Sequence, residues 1–550
     1  MRIALVDCLG RGKGKRYATI DVIGVGPRII AGILEKYGVD YKLFVGEEIV
    51  YNPKVLRGFD VLLISAMVSD SGCVGRVLRE WRKYSGGYTI LGGPLTLDRQ
   101  LLKNLEFDVA VVGEGEVVFE KILKLILEDN LDFNRLRGVR GTAYRFRKKF
   151  IFNGLAENLT VELLNRYKAS TKILSQYPFY WAARVYVEVV RGCSNFRRTS
   201  IKLPDGKECI KCNVCYSGDL EERLNCPVNI PPGCGYCGVP SYFGPARSKS
   251  IDVIVDEVKG LIDEGATRIV LSAPDFLDFG RDLLVKPKPL TDPREPPANI
   301  EHIEALLSQL SNIRDVAKGY VTIMIENIKP NLVTEEVAKV LGKYLKGTTV
   351  HLGIESGDEY HVRMLGRPNT VEEGVNAVKL LRKYGLRPYV YFIHGLPGQT
   401  ERTVINTLRI MDLVYRYGAE KLTVYRFRPL PYSAFQDFKE PPPAVKDKLS
   451  ARIYRKARDL NMLVKRGMLK KRFKVVSVAR YPPDRRFLVT YPLTHGPVIL
   501  VPSKRKFRGK ILEVIAKDIY RERVVRGKVN KIIREVKGYR YGDEFRVNPI

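Results

Sequence analysis

Seven of the chain's nine cysteines lie within 45 residues, at Cys193, Cys209, Cys212, Cys215, Cys226, Cys234 and Cys237; only Cys8 and Cys73 stand apart. Seven thiols cannot all pair with one another, so this clustering points to metal binding or catalysis before disulfides. Two residues separate Cys234 from Cys237, a spacing that lets both thiolates bind one soft metal centre from a single turn. Cys193 closes the run Arg191-Gly192-Cys193 at the end of a valine-rich strand. Three thiolates on a cubane leave its fourth iron open to a small molecule. Cys226 competes with Cys193 for the first of these positions. The remaining run, Cys209-x2-Cys212-x2-Cys215 with Cys226-Pro227, supplies four thiolates. It fits a second, fully ligated [4Fe–4S] cluster, with a structural zinc as the alternative.

These cysteines need a scaffold, and the hydrophobic pattern describes one. Residues 1–128 alternate strands (Arg2–Val6, Val61–Ser65, Thr89–Leu91, Val109–Val112) with helices (Pro27–Tyr37, Cys73–Tyr84). That alternation predicts a doubly wound parallel α/β sheet with any ligand at the carboxyl ends of its strands. Residues 129–183, including a hairpin-like piece at Thr142–Phe152, read as a connector. Six further strands follow: Arg184–Val190, Arg268–Ser272, Tyr320–Ile325, Thr348–Ile354, Arg387–Ile393 and Lys421–Phe427. They predict a (β/α)6 partial barrel over 184–440, with chemistry at the carboxyl mouth. The Cys-rich insert 194–233 and the Pro-rich loop Lys286–Asn299 interrupt it. Pro441-Pro442-Pro443 opens a basic helical linker, 441–469, with its helix at Val445–Leu460. Residues 470–550 carry five short strands and predict a small OB-like β-barrel.

Charge is uneven. The 550 residues carry a formal +32, and residues 471–550 alone hold 21 Lys/Arg against 7 Asp/Glu. Such a tail suits a polyanion, and Lys504-Arg505-Lys506-Phe507-Arg508 interleaves an aromatic ring with cations as RNA surfaces do. No apolar run is long enough to predict a membrane span. The start, MRIALVD leading into Cys8 and the basic loop Arg11–Arg16, has no apolar signal region, so the chain reads as cytoplasmic.

Arg191-Gly192-Cys193, Cys234-x2-Cys237 with Tyr236 before its last cysteine, and the following Arg247-Ser248 and helix resemble the radical S-adenosylmethionine (radical SAM) motif. The family's usual spacing is Cys-x3-Cys-x2-Cys; here 40 residues separate the first two cysteines. His351-Leu-Gly-Ile-Glu355-Ser356-Gly357 with Met364-Leu-Gly-Arg367 resembles that family's fourth-strand signature. Gly395-Leu-Pro-Gly398-Gln-Thr-Glu401 resembles its fifth-strand turn. The resemblance implies a [4Fe–4S] cluster on Cys193, Cys234 and Cys237 and S-adenosylmethionine as cosubstrate. It also implies a reductant protein as partner, and cofactor contacts from Tyr236, Glu326, Glu355, Ser356, Gly395 and Gly398.

Two flanking regions carry resemblances of their own. Gly92-Gly93-Pro94 and Val112-Gly-Glu114-Gly-Glu116 make the first domain similar to the cobalamin-binding domains that precede many such barrels. Its Asp-x-His-x2-Gly motif is absent, and the first histidine of the chain is His302. Cobalamin is thus an implied cofactor without a local imidazole. Gly509–Ile515 and Val524–Val529 resemble the closing strands of a TRAM domain, the RNA-binding end of methylthiotransferases. That branch carries three cysteines in its first domain, where this chain has only Cys8 and Cys73. The expectation is a transferase that methylates or methylthiolates a tRNA or rRNA nucleotide. Its rivals are the same chemistry on a lipid, protein or small metabolite, and a non-catalytic RNA-binding protein with structural zinc.

Overall fold

In the N-terminal domain, seven strands form one sheet in the order 40–45, 2–7, 61–65, 88–92, 109–111, 142–146, 149–152. The computed structural model describes residues 1–8, 22–128, 131–521 and 524–545; the basic loop Arg11–Arg16 lies outside them. The first five strands run parallel. Val61–Ser65 is an unbroken apolar run because helices cover both faces of the sheet. Asp40–Val45 escapes the sequence reading because its first half is half-exposed at a sheet edge. The hairpin Thr142–Phe152, read as part of the connector, pairs antiparallel with Val109–Val111 and extends the sheet past residue 128. It covers what would otherwise be an open strand edge.

The central domain has six parallel barrel strands, called first to sixth here: Arg184–Glu188, Arg268–Ser272, Thr322–Ile325, Thr349–Glu355, Arg387–His394 and Lys421–Arg426. The barrel is split at the third. Thr322–Ile325 pairs with the second strand, while Asn327–Ile328 pairs with the fourth. Glu326 is the residue between the two halves, and its carbonyl accepts the His351 N–H at 2.8 Å. Val22–Ile23 adds itself to the first strand, so the N-terminal domain lends a strand to the barrel sheet. The helix Lys448–Arg466, read as a linker, packs on the helix Glu401–Arg416 and on the sixth strand. Its Asn461 amide pairs with both the N–H (2.9 Å) and the carbonyl (2.7 Å) of Leu422. The segment therefore seals the barrel's last edge as a further strand would.

The C-terminal domain is a closed five-stranded barrel of 472–480, 487–492, 498–502, 524–535 and 510–521. It is fastened under the central domain by aromatic packing. The Trp181 indole N–H donates to the Ser477 carbonyl at 3.1 Å, and its ring meets Tyr539 edge to face at 5.4 Å. Arg387, from the fifth strand, donates to the His495 carbonyl at 2.9 Å. Phe507 corrects one expectation: it is 8% exposed and packs in this barrel's core, so it cannot stack on a base.

Trp181 is wholly buried. Trp181→Ala is expected to cost about 3–5 kcal/mol through the cavity it leaves. Mass-mapped limited proteolysis should show residues 470–550 cleaved before 184–440; simultaneous cleavage would contradict this fastening role.

Candidate functional site

Cys193 sits at the carboxyl mouth of the barrel because of two backbone constraints. Beyond the first strand, Val190–Arg191 pairs antiparallel with Arg247–Ser248. Gly192 then turns at φ +84°, where a Cβ would stand 2.2 Å from the Pro245 carbonyl, so only glycine fits. The Cys193 N–H donates to the Gly244 carbonyl at 3.1 Å, tying the cysteine to the segment that follows Cys237. Asn195 reaches across the insert, donating from Nδ2 to the Cys234 sulfur (3.4 Å) and to the Gly366 carbonyl (3.0 Å). The Cys234–Cys237 turn is held by Gly235, whose N–H donates to Leu365 and whose carbonyl accepts from Phe435, both at 2.8 Å. A Cβ at Gly235 would lie 2.3 Å from the Phe435 ring.

The three thiols feel one another. Burial pushes Cys193 up to about 11, with Cys234 adding to the rise although Lys329 opposes it. Burial pushes Cys237 up to about 12, and the sulfurs of Cys234 and Cys193 raise it further. Donors of this kind ionise when cationic metal charge offsets burial and mutual repulsion, and sulfur suits soft iron. The donor set therefore fits an iron–sulfur centre. Among the described residues, no three His, Cys, Asp or Glu side chains are arranged as ligands of a single metal ion.

Arg367 is the hub beside these thiols. One guanidinium nitrogen donates to the Tyr236 hydroxyl at 3.0 Å and lies 3.8 Å from the Cys234 sulfur. The other donates to the Gly353 carbonyl and to Asn369 Oδ1. Glu355 lies 3.5 Å from it. Glu355 stands at a register shift in the fourth strand with φ +68°, a strained backbone for a non-glycine residue. Burial raises its carboxyl above the ordinary range, against Arg367. Ser356 has its hydroxyl beside His361 Nδ1 (3.0 Å), and His361 Nε2 donates to the Pro397 carbonyl (2.9 Å). That histidine thus ties the fourth-strand turn to Gly395–Gly398. Gly395 (φ +72°) needs its bare backbone, since a Cβ would lie 2.4 Å from Pro441. Gly398 has φ +83°. Glu326 accepts from the Tyr186 hydroxyl at 2.7 Å and faces His351 at 3.6 Å inside the barrel.

Two buried charge groups frame Cys193 from either side. Ser194 donates from its hydroxyl to Asp278 at 2.8 Å, and Lys329 reaches both Ser194 (2.8 Å) and Asp278 (3.0 Å). Arg281 pairs with the same Asp278 at 2.5 Å. Burial alone would lower Lys329, but Asp278, Cys193 and Asp275 raise it above its ordinary value. On the other side, Arg191 pairs with Glu188 (2.8 Å), Glu116 (2.7 Å) and Glu114 (3.3 Å), the last two from the N-terminal domain. Arg247 pairs with Glu114 as well. Sequence reasoning missed Arg367, Asn195, Asp278, Lys329 and this network as site residues. Arg367 closes a motif that was noticed, whereas the others have no spacing that marks them.

In the insert, Arg198 donates to the Cys215 sulfur at 3.3 Å. Cys209 and Cys226 pack on one small apolar cluster with Tyr236, and Cys212 is exposed. In the N-terminal domain Cys73 donates to Cys8, sulfur to sulfur, at 3.1 Å, and both are buried. The donors beside that first strand are thus thiols and carboxylates, with no imidazole before His302. A cavity of about 560 Å³ opens at the opposite mouth of the barrel, lined among others by Thr348, Arg387, Lys471 and Thr494. It contains none of the cysteines.

The Radical SAM superfamily profile matches residues 225–411. An uncharacterized protein of Methanopyrus kandleri is 39% identical over 97% of this chain and 97% of its own length. A tRNA-2-methylthio-N(6)-dimethylallyladenosine synthase of Lawsonia intracellularis is 27% identical over 34% of this chain and 40% of its own. The ribosomal protein uS12 methylthiotransferase of Thermotoga maritima is 30% identical over 33% and 40%. Among solved structures, a radical S-adenosylmethionine methyltransferase of Kitasatospora setae, bound to cobalamin and a [4Fe–4S] cluster, superposes with TM-score 0.55. It is 15% identical, over 79% of this chain and 73% of that one, a likeness of fold.

Although burial opposes it, Arg191 and Lys249 hold Glu188 down to about 2, against an ordinary 4.5. A depressed carboxyl contributes stability above its unfolded value and loses it as pH falls through the folded one. The protein should therefore lose on the order of 3 kcal/mol between pH 4.5 and about 2 through this group. Urea unfolding across that range should show a shallower loss in Glu188→Gln, and identical slopes would refute the assignment.

Proposed function

The chain belongs to the radical SAM superfamily, and on that premise we propose that Cys193, Cys234 and Cys237 hold a [4Fe–4S] cluster. When bound, such a cluster would supply one electron to cleave S-adenosylmethionine into methionine and a 5'-deoxyadenosyl radical, for the methylation or methylthiolation of an RNA nucleotide. The observation that carries this reading is Asn195, which donates to the Cys193 sulfur from its N–H and to the Cys234 sulfur from Nδ2, both at 3.4 Å, across 40 intervening residues. Arg367 orients Tyr236 and the strained Glu355 beside them, where Glu355 contacts the cosubstrate. Gly395 and Gly398 leave room for the adenosyl group, and His361 with Ser356 fixes their turn. Asp278 and Lys329 keep Ser194, and so Cys193, in place.

Three further assignments complete the reading. Cys209, Cys212, Cys215 and Cys226 hold a second [4Fe–4S] cluster, with zinc as the alternative. Cobalamin, if held at the carboxyl edge of the N-terminal sheet, would carry a methyl group without a histidine from that domain. RNA docks on the C-terminal barrel, whose Lys504, Arg505 and Lys506 are exposed. Methylthiotransferases on tRNA among the relatives support this substrate class. A reductant protein completes the cycle in the cytoplasm; no helix among the described residues is long and apolar enough to cross a membrane.

Anaerobic reconstitution tests the centre. Replacing Cys209, Cys212 and Cys215 together by alanine should remove about four irons and leave 5'-deoxyadenosine formation measurable. Cys193→Ala should abolish that product while Cys226→Ala does not. Protein that takes up zinc alone and yields no 5'-deoxyadenosine would overturn the enzyme reading in favour of a structural-zinc RNA-binding protein.

Filter binding of unfractionated tRNA against salt tests the partner. The logarithm of affinity should fall linearly with that of salt, and alanine at Lys504, Arg505 and Lys506 should reduce the slope by about one per phosphate contact. Absent binding or a flat slope would move the substrate to a lipid, protein or metabolite.

A further inference from the structure

At the carboxyl edge of the N-terminal sheet two thiols meet that the chemistry above leaves unused. Cys8 follows the strand Arg2–Asp7, and its N–H donates to the Ser65 carbonyl at 3.0 Å. Cys73 lies in the first turn of the helix Ser71–Tyr84, which begins shortly after the neighbouring strand Val61–Ser65 ends. Both side chains are wholly buried, and their sulfurs stand 3.1 Å apart although 65 positions separate them in the chain. A covalent S–S bond is about 2.05 Å long, so closing it asks for a shift of about 1 Å.

Gly46 is fitted to this approach. It opens the helix Gly46–Tyr51 without a left-handed backbone that would require glycine. A Cβ there would stand 2.5 Å from the Cys73 sulfur and 3.6 Å from the Cys8 sulfur, and the three nearest atoms all belong to these two cysteines. The bare backbone therefore serves the sulfur pair, despite the conformational entropy that glycine loses in a helix. Two thiols are too few to hold zinc or an iron–sulfur cluster, and among the described residues no His, Asp or Glu completes a metal site with them. The two carboxylates nearby are engaged elsewhere. Asp7 accepts from the Tyr177 hydroxyl at 2.9 Å, and Asp70 accepts from the Met67 N–H at 3.1 Å. The contact with Cys73, burial and these two carboxylates hold the Cys8 thiol well above its ordinary range, so it keeps its proton at neutral pH. The cover over Cys73 is thin: Met67, Ser69 and Gly72 are exposed. Opening that one turn admits a small oxidant without unfolding the sheet.

We propose that Cys8 and Cys73 form an oxidisable dithiol, which hydrogen peroxide converts to a disulfide locking strand 2–7 to helix 71–84. The Cys73 sulfur, under the turn that opens, attacks the peroxide; the O–O bond breaks, leaving a sulfenic acid and one water. The Cys8 sulfur then attacks the oxidised sulfur, the S–O bond breaks, and a second water leaves with the remaining thiol proton. In sum, the two thiols give up two electrons and two protons, and the peroxide becomes two waters. With the second sulfur already in contact, this step outpaces further oxidation of the first. The bond lies in the domain whose Glu114 and Glu116 pair with Arg191 beside Cys193, so oxidation stiffens the body that seats the thiol site. The inference is independent of the RNA reading and of cobalamin.

Mass mapping of the reconstituted full-length protein tests it. The protein is treated anaerobically with hydrogen peroxide at neutral pH, denatured in iodoacetamide and digested with trypsin. Tryptic peptides 3–11 and 58–76 each contain a single cysteine, Cys8 and Cys73, so the bond reads as one linked species two hydrogens lighter than their sum. It should form in wild type and revert with dithiothreitol. Its formation should raise the unfolding temperature by about 5 °C or more, a rise absent from Cys8→Ser. In Cys8→Ser, Cys73 has lost its partner and should proceed to sulfinic acid. If that variant does not fold, the wild-type map decides the matter alone. Both peptides carbamidomethylated after treatment, separate sulfinic acids without a link, or linkage of either to another cysteine overturns the proposal.

Discussion

The arrangement of this protein depends on one buried ion network, in which Arg191 is shared between Glu188 of the first barrel strand and Glu114 and Glu116 of the N-terminal domain. Charges taken out of water are tolerated only when paired and hydrogen-bonded, and removing one partner leaves the others exposed to the full desolvation cost. Arg191 lies two residues before Cys193. The loop that presents the first cysteine therefore cannot adopt its position unless the N-terminal domain is docked. Glu114 extends the same constraint to Arg247 and to the Leu159 N–H, so the segment after Cys237 is bound by it too. Whatever the N-terminal domain carries, its seating and the geometry of the thiols form one structural unit.

A second group, Asp278 with Lys329, Arg281 and Ser194, supports Cys193 from the opposite side. Cys193 thus lies within two residues of two buried ion clusters, through Arg191 on one and Ser194 on the other. Strain is concentrated nearby, in the left-handed backbone of Glu355. Such a conformation persists only where its surroundings overdetermine it, and here Arg367 and the strand register supply that. At the other end of the barrel the C-terminal domain does more than attach. Through Trp181, Arg387 and His495 it forms the barrel's floor.

Much of the fold was legible because strand–helix alternation is a local property. The six barrel strands, the N-terminal helices and the five strands of the last barrel all show in apolar periodicity. Asp40–Val45 was not legible, since an edge strand buries only part of its length. The hairpin Thr142–Phe152 and the helix Lys448–Arg466 were recognised as elements but read as connectors, because their partners lie far away in sequence. Phe507 was misread for a related reason: its neighbours are basic, but its ring belongs to the core.

By itself the sequence determined the donor types, their short spacings, the glycine-rich turns and the basic tail, for these are properties of neighbouring residues. Only tertiary structure shows where the rival thiols stand: the Cys193 N–H donates to the Gly244 carbonyl after Cys237, while Cys226 packs on the apolar cluster with Tyr236. It also decided that Glu326 belongs with His351 and Tyr186 in the barrel interior, and that Arg367 binds Tyr236, Gly353 and Glu355 together. Those associations are made by side chains tens to hundreds of residues apart. Burial enforces them, and no pattern along the chain encodes them.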